Sequence, residues 1–302
     1  MKIEPACIPC ALRRALATAE RISADPWLHH KLLVKAMGEL EGMERDLTPA
    51  QLNAQLWAVV SKTLGATDPY QGERTQWRRE LGDTQRFATL IKDAEDPLLA
   101  ALVLSGRVNV FDDECLNEGG IREELRRMRS QPGAEPTDSS AAGGDADRLA
   151  CSDLDLFLAD LEQAKTLLFV HDSGPEVPID ALLIREILGR RPDLQVTCVV
   201  RTRPILLDAT REDLEESGLL TLPGVRGIDP GIDTLGVPLS ECSRELREEF
   251  ERADLVLGKG QAAFETLAQG AKATYFLMRI KCPVMAKVQG LRVGELAFIK
   301  GS

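Results

Sequence analysis

Three charged residues occupy comparable places in the second half of the chain, each at or just beyond the end of an apolar run. Asp172 follows TLLFVH, Asp208 comes shortly after LQVTCVVR, and Lys259 lies in the Gly-Lys-Gly turn after DLVL. Hard divalent cations such as Mg²⁺ prefer carboxylate oxygens, and a lysine ammonium suits phosphate as a point charge. If the three residues lie together, they form a site for a metal and an anionic ligand, although Asp208 alone would also serve as a helix N-cap.

The residues around these three add further candidates. Ser173 and Glu176 follow the first aspartate at a Gly-Pro turn, Asp180 comes four residues later, and Arg201 and Arg203 close the second apolar run. Glu176 is placed to orient or deprotonate an attacking water, and arginines are natural contacts for phosphate. A plainer interpretation is that Glu176 and Asp180 complement a helix dipole and that the arginines are solvated.

Five short apolar runs predict the elements that would position these residues. Helical segments separate the runs, which span residues 166–172, 194–201, 224–229, 254–260 and 273–279. Continuous apolar runs indicate strands that are covered on both faces, and the helices suit right-handed parallel crossovers. We therefore predict an α/β fold with a Rossmann-like, doubly wound, mostly parallel sheet, in which ligands bind outside the carboxyl ends of the strands.

The first part of the chain has a different pattern. Apolar residues recur at helical spacing in residues 8–22, 27–42, 50–64, 70–94 and 97–104, which predicts an all-helical segment. The stretch QPGAEPTDSSAAGGDAD has almost nothing to bury. We predict a helical N-terminal domain over residues 1–130, a flexible linker or insertion over 131–150, and an α/β domain over 151–302 that carries the site.

Composition excludes several classes of partner. The 302 residues carry a net charge of −11 without an acidic tail, which argues against nucleic acid and anionic membranes as partners. No apolar run approaches the length of a membrane span, and MKIEPACIPC lacks the apolar stretch of a signal peptide. We expect a cytoplasmic protein with reduced thiols, with a zinc site at Cys7, Cys10 and Cys282 as the alternative.

The order of three motifs resembles one known family. These motifs are Asp-Ser-Gly-Pro-Glu-x-x-x-Asp from residue 172, Arg-x-x-Pro-x-x-x-Asp-x-Thr-x-x-Asp from residue 201, and Lys-Gly-Gln-x-x-x-Glu from residue 259. They are similar to motifs of the domain of unknown function 89 (DUF89) family, the metal-dependent damage-control phosphatases. Further matches are Cys7-x-x-Cys10, Asp68-Pro69-Tyr70, Asp96-Pro97-Leu98, Asn109 with Asp112, Gly236-x-Pro238-Leu239 and residues 276–290.

The resemblance implies a fold, an activity and a set of site residues. Members of the family bind a divalent metal such as Mg, Mn, Co or Ni and remove phosphate from small metabolites, including sugar phosphates and phosphopantetheine derivatives. It implies that Asp172, Asp208 and the position of Ser173 hold the metal, and that Lys259 contacts phosphate. Asn109 and Arg203 then join Lys259 in binding the substrate, while Glu176, Lys259 and Arg201 make up the predicted catalytic set.

Three positions depart from the family pattern. Ser173, Leu207 and Ala263 stand where the family usually has asparagine, and only the serine retains an oxygen that could bind a metal. The alternative to a phosphatase is therefore a degenerate member that binds a phosphorylated or nucleotide ligand without hydrolysis. A carboxyl methyltransferase ranks last, because no glycine-rich adenosylmethionine loop follows the first predicted strand.

Overall fold

The computed structural model describes residues 1–44, 46–65, 68–81, 84–111, 118–130, 149–268, 272 and 274–301. Seven helices come first in this part of the chain: α1 Cys7–Ile22, α2 Pro26–Glu41, α3 Pro49–Leu64, α4 Gln71–Leu81, α5 Thr84–Lys92, α6 Pro97–Arg107 and α7 Glu118–Ser130. Strands and helices then alternate: β1 Leu149–Ser152, α8 Leu154–Gln163, β2 Thr166–Val170, α9 Val177–Arg190, β3 Gln195–Val199, α10 Arg211–Glu216, β4 Val225–Ile228, α11 Arg244–Arg252, β5 Leu255–Lys259, α12 Gly260–Leu267, β6 Thr274–Arg279, α13 Pro283–Gln289 and β7 Leu296–Lys300.

The seven strands form one sheet in the order β1-β7-β6-β5-β2-β3-β4. The β6–β7 pair is antiparallel, and the other five strand pairs are parallel. Phe169 of β2 pairs with Cys198 of β3 on one side and with Leu257 of β5 on the other. The chain thus changes direction across the sheet between β2 and β5, which is the place where ligands bind in such folds.

Both faces of the sheet are covered, which explains the continuous apolar runs. Leu167 and Phe169 point to one face, where they join the core with α6, α8 and α9. Leu168 and Val170 point to the opposite face, which is covered by α11, α12 and α13. The predicted α/β fold with a mostly parallel sheet is confirmed.

The predicted helical segments are also present, with two differences. The single helix predicted over residues 70–94 is found as α4 and α5, and residues 82–83 lie outside the described part. The sequence patterns missed α7 and the short strands β1 and β7. Leu149 and Ala150 belong to β1, although they fall within the predicted linker, whose residues 131–148 lie outside the described part.

The N-terminal helices do not pack as one separate unit. Helices α1 to α3 share a small core with Val284 of α13, whereas Trp77 of α4, Phe87 of α5 and Leu102 of α6 belong to the same core as the sheet. The division into domains at residues 131–150 therefore stays a prediction. Within the described residues, no helix is long and apolar enough to cross a membrane.

Candidate active site

Asp172 lies two residues beyond β2, at the carboxyl edge of the sheet. Its Oδ2 accepts a hydrogen bond from Asn109 Nδ2 at 2.7 Å and lies 3.7 Å from Lys281 Nζ. Gly260, which begins α12, has a φ of +75°, and a Cβ at this position would fall 2.0 Å from Asp172 Oδ2. The second glycine of the Gly-Lys-Gly turn is thus required because the backbone passes directly against the carboxylate.

The loop between β3 and α10 brings Asp208 beside Asp172. Asp208 forms an antiparallel bridge with Ser173, and the Ala209 amide donates to the Asp172 carbonyl at 2.8 Å. Arg201 Nε donates to Asp208 Oδ2 at 3.1 Å, and its Nη2 donates to the Gly236 carbonyl at 2.8 Å. The bridge between Asp208 and Ser173 and the hydrogen bond from Ala209 fix the two loops to each other. The carboxylates of Asp172 and Asp208 therefore face the same space.

That space is a narrow cleft at the ends of the central strands. Its lining includes Asp172, Arg201, Asp208, Gly236, Lys259 and Ala263. The structure thus brings together the three residues on which the sequence prediction depended. We call Asp172 and Asp208 the cleft pair, and their chemical roles are taken up below.

Lys259 contacts the cleft but directs its ammonium group into the protein. Its Nζ donates to Ser105 O at 2.9 Å, to Glu176 Oε2 at 2.9 Å and to Asp180 Oδ1 at 2.7 Å. Burial alone would lower the pKa of Lys259, but Asp180 and Glu176 raise it above its ordinary value. Its three donor hydrogens are matched by three protein acceptors, so the geometry does not support a direct phosphate contact.

Glu176 and Asn109 are satisfied in the same buried region. Glu176 Oε1 accepts from Ser173 Oγ at 2.7 Å and from Asn109 Nδ2 at 2.8 Å. Asn109 Oδ1 in turn accepts from the Arg279 amide at 3.3 Å. These contacts commit the Glu176 carboxylate and the Asn109 amide to other protein groups, whereas the Ser173 oxygen keeps its lone pairs. The predicted roles of the three residues stay predictions.

Asp180, which the sequence left open between a site residue and a helix-start residue, and Ser105, which was not predicted, complete this arrangement. Ser105 Oγ donates to Asp180 Oδ1 at 2.6 Å, and His171 Nδ1 lies 3.0 Å from Asp180 Oδ2. Burial tends to raise the pKa of Asp180, but Lys259 and then His171 lower it below its ordinary value. We call Ser105, Asn109, Glu176, Asp180 and Lys259 the inner network.

Helix α4 braces the loop that carries Asp208. Arg74 Nη1 donates to the Leu206 carbonyl at 2.7 Å, and Arg74 also pairs with Asp68 of the Asp-Pro-Tyr motif. Leu206 has a φ of 49°, a left-handed conformation that is uncommon outside glycine. A buried arginine from the helical part of the chain therefore holds a strained turn two residues before Asp208.

Arg203 is the one predicted site residue that stands apart. It is exposed on the loop after β3 and does not line the cleft. Its predicted role in substrate binding therefore has no support from the cleft geometry.

The comparisons with known proteins agree with this geometry. The model of the damage-control phosphatase ARMT1-like domain matches residues 3–297. The chain belongs to this family. A DUF89 family protein from Pyrococcus horikoshii has a similar crystal structure, with a TM-score of 0.82, 25% sequence identity and full coverage of both chains. The predicted resemblance to DUF89 is therefore confirmed.

Curated relatives are similar over almost their whole length. A damage-control phosphatase from Pyrococcus horikoshii is 27% identical over 305 residues, which cover 99% of this chain and 98% of the relative. A damage-control phosphatase from Archaeoglobus fulgidus is 27% identical over 302 residues, with 98% of each chain covered. An uncharacterized protein from Methanocaldococcus jannaschii is 26% identical over 308 residues.

The three departures from the DUF89 pattern can now be placed in the structure. Leu207 and Ala263 are buried apolar side chains, and the Ser173 hydroxyl donates to Glu176. Across the described residues, no group of three or more His, Cys, Asp and Glu side chains is arranged to hold a metal. The zinc site considered for Cys7, Cys10 and Cys282 is therefore not found, and none of these three cysteines forms a disulfide with another described residue. The cleft pair still offers two carboxylates, to which Mg²⁺ readily adds water ligands.

Proposed function

We propose that the protein is a metal-dependent phosphatase that hydrolyses small phosphorylated metabolites, such as sugar phosphates or phosphopantetheine derivatives. The observation that carries this proposal is the cleft pair, two carboxylates on loops tied together by backbone hydrogen bonds at the switch point of the sheet. Membership of the family and the names of two relatives, both damage-control phosphatases, support the same reaction. We also keep a cytoplasmic location as a prediction.

The cleft pair fits a divalent cation such as Mg, Mn, Co or Ni. Asp172 and Asp208 supply the hard oxygen donors that these ions accept, and water and substrate oxygens would complete the coordination. When bound, the cation would polarise the phosphoryl oxygens and offset their negative charge. The close approach of Gly260 keeps the Asp172 carboxylate in place.

The positive groups at the cleft edge are suited to the phosphate itself. Arg201 is held against Asp208 at 3.1 Å, and Lys281 Nζ lies 3.7 Å from Asp172 Oδ2. Cationic side chains fixed in a cleft stabilise the charge that develops on transferring phosphoryl oxygens. Lys281 thus takes the position beside phosphate that the sequence assigned to Lys259.

The inner network acts indirectly in this proposal. Asn109 donates from one amide nitrogen to both Asp172 and Glu176, so it fixes the rotamer of a metal-holding carboxylate. Lys259 forms ion pairs with both Glu176 and Asp180 behind the cleft. Such supporting groups tune a metal site without touching the substrate.

Phosphate release tests the proposal directly. The purified protein is assayed with Mg²⁺, Mn²⁺, Co²⁺ or Ni²⁺ against a panel of phosphomonoesters, with Asp208→Ala as the active-site variant and the exposed Asp193→Ala as the matched control. We expect turnover that needs a divalent metal, survives Asp193→Ala and falls to background in Asp208→Ala. Turnover that is unchanged in Asp208→Ala would remove the mechanism.

The second candidate is a protein that binds a phosphorylated or nucleotide ligand without hydrolysing it. The replacement of three family asparagines by Ser173, Leu207 and Ala263 favours this candidate, because it removes oxygen donors from the pocket. Calorimetric binding of a phosphomonoester, without phosphate release under any of the four metals, would support it. A carboxyl methyltransferase remains the last alternative.

A further inference from the structure

Arg279 lies at the end of β6 with a buried guanidinium whose hydrogen-bonding capacity the described residues do not fill. The residue is 9% exposed, and its Nε and Nη1 have no hydrogen-bond partner among the described residues. Nη1 is 3.8 Å from Glu124 Oε1, which is an ion pair without a hydrogen bond. A buried charged group with unmet donors is costly, so its presence calls for an explanation.

The carboxylate nearest to Arg279 is already shared. Arg107, which is 1% exposed, donates from Nε to Glu124 Oε1 at 3.2 Å. Arg127 Nη1 lies 3.8 Å from the other oxygen of Glu124. The Glu124 carboxylate thus faces three guanidinium groups, and Nε and Nη1 of Arg279 find no hydrogen-bond acceptor among the described residues.

The position of Arg279 links it to the candidate active site. Its backbone amide donates to Asn109 Oδ1 at 3.3 Å, and Asn109 donates to Asp172 Oδ2 at 2.7 Å. Lys281, two residues further along, lies 3.7 Å from the same oxygen. Through its backbone amide, Arg279 is therefore one side chain, that of Asn109, away from Asp172 of the cleft pair.

We propose that Arg279 binds a second anionic group of the substrate, so that the preferred substrates are phosphomonoesters that also carry a carboxylate or a second phosphate. This inference rests on the proposed phosphatase function and specifies its substrate class. The guanidinium presents its donors as a planar fork, which matches the oxygens of either anion. A bound oxyanion supplies the hydrogen bonds that Nε and Nη1 lack.

Matched substrate pairs test the proposal. 3-Phosphoglycerate and glycerol 3-phosphate differ only by a carboxylate in place of a hydroxymethyl group, and so do 6-phosphogluconate and glucitol 6-phosphate. Fructose 1,6-bisphosphate and fructose 6-phosphate test a second phosphate. In at least one pair, we expect the wild type to show a higher kcat/KM for the member with the second anion.

The variants then assign this preference to Arg279. Arg279→Gln should reduce the ratio of kcat/KM values in the preferred pair by about tenfold or more, as expected for the loss of one charge-assisted pair. Arg279→Lys should keep part of the preference. The exposed Arg244→Gln on α11 is the control and should keep the wild-type ratio.

Stability measurements separate binding from a structural role. Because the guanidinium is unsatisfied without a ligand, we expect Arg279→Gln to melt at the same temperature as the wild type or higher. A lower Tm with an unchanged substrate ratio would overturn the proposal, as would the absence of any preference in the wild type.

The proposal can also be judged if the phosphatase function fails. Should the wild type hydrolyse none of the six compounds, the thermal shifts they induce at equal ionic strength decide the role of Arg279. Larger stabilisation by the doubly anionic member of a pair, lost in Arg279→Gln, supports second-anion binding. Equal shifts within every pair overturn it.

Discussion

The inner network and the cleft pair both place carboxylates near the carboxyl ends of the strands, but they differ in burial and in surroundings. The side chains of Glu176 and Asp180 have no exposed surface and contact the buried Lys259. Those of Asp172 and Asp208 keep 12% and 22% of their surface exposed and lie beside Lys281 and Arg201. Only the second set can exchange contacts with a ligand while the core stays intact.

Strand alternation explains part of this difference. Lys259 and Leu257 point to the face of the sheet that α6 and α9 cover, so the lysine meets the Ser105 carbonyl and Asp180. Asp172 comes two residues after β2, where the chain has left the sheet. A charged residue at a strand end is therefore buried or available according to the direction of its side chain.

Replacement of Lys259 should have the largest effect. Lys259→Met leaves Glu176 and Asp180 buried without their cation, and we expect a loss of about 3–5 kcal/mol in the free energy of unfolding. The measurement is chemical denaturation, with the exposed Lys165→Met as control. A loss below about 1 kcal/mol would show that the inner network is not the buried ion cluster described above.

Asn109 connects the two regions, so its loss should affect chemistry more than folding. Asn109→Ala frees the Asp172 carboxylate to rotate, and we expect the affinity for the activating metal to fall about 10- to 100-fold, as for other residues that orient metal ligands. Metal titrations of activity measure this, with Asn53→Ala on α3 as control. An unchanged metal dependence would separate the inner network from the cleft.

The inner network should also affect how the free energy of unfolding depends on pH in the acidic range. Because the pKa of Asp180 is lowered in the folded protein, its ionised form stabilises the fold above about pH 4, and this contribution is lost as pH falls through the folded-state pKa. The difference in unfolding free energy between wild type and Asp180→Asn should therefore be present at pH 5 and shrink below about pH 4. A difference that stays constant down to pH 2.5 would contradict this; the exposed Asp193→Asn should show no such dependence.

Loss of the contact from Arg74 of α4 to the Asp208 loop should have the smallest effect on activity. Arg74→Met removes the hydrogen bond to the Leu206 carbonyl, and we expect kcat/KM to fall by less than about tenfold, because Arg74 acts on Asp208 only through the backbone. Arg79→Met on the exposed face of the same helix is the control. If Arg79→Met lowers kcat/KM equally, the brace has no specific role.

The sequence predicted the cleft pair better than the inner network. Asp172 and Asp208 follow apolar runs of the length of strands, and parallel strands bring their carboxyl ends to one edge of a sheet. The inner network depends on a contact that no spacing records, because Ser105 lies in the helical part of the chain, 154 residues from Lys259. The charged end of β5 predicted a phosphate contact, which stays a prediction, and the structure shows the Lys259 ammonium in a buried ion cluster.

The remaining misses have different grounds. β1 has four residues, three of them exposed, so it lacks the apolar run that predicts a strand. β7 is as long as β2, and its length does not explain why the sequence pattern missed it. Helix α7 has few apolar residues among its charged ones. The position of Lys281 beside Asp172 was missed because Lys281 follows a strand end already occupied by Arg279.

The most direct test of the division between the two regions is an anomalous difference map from crystals soaked with Mn²⁺ and phosphate. We predict a peak between the carboxylates of Asp172 and Asp208, with the inner network unchanged. No peak at millimolar Mn²⁺, or a peak at Glu176 and Asp180 with Lys259 displaced, would contradict the assignment of the cleft pair as the metal site.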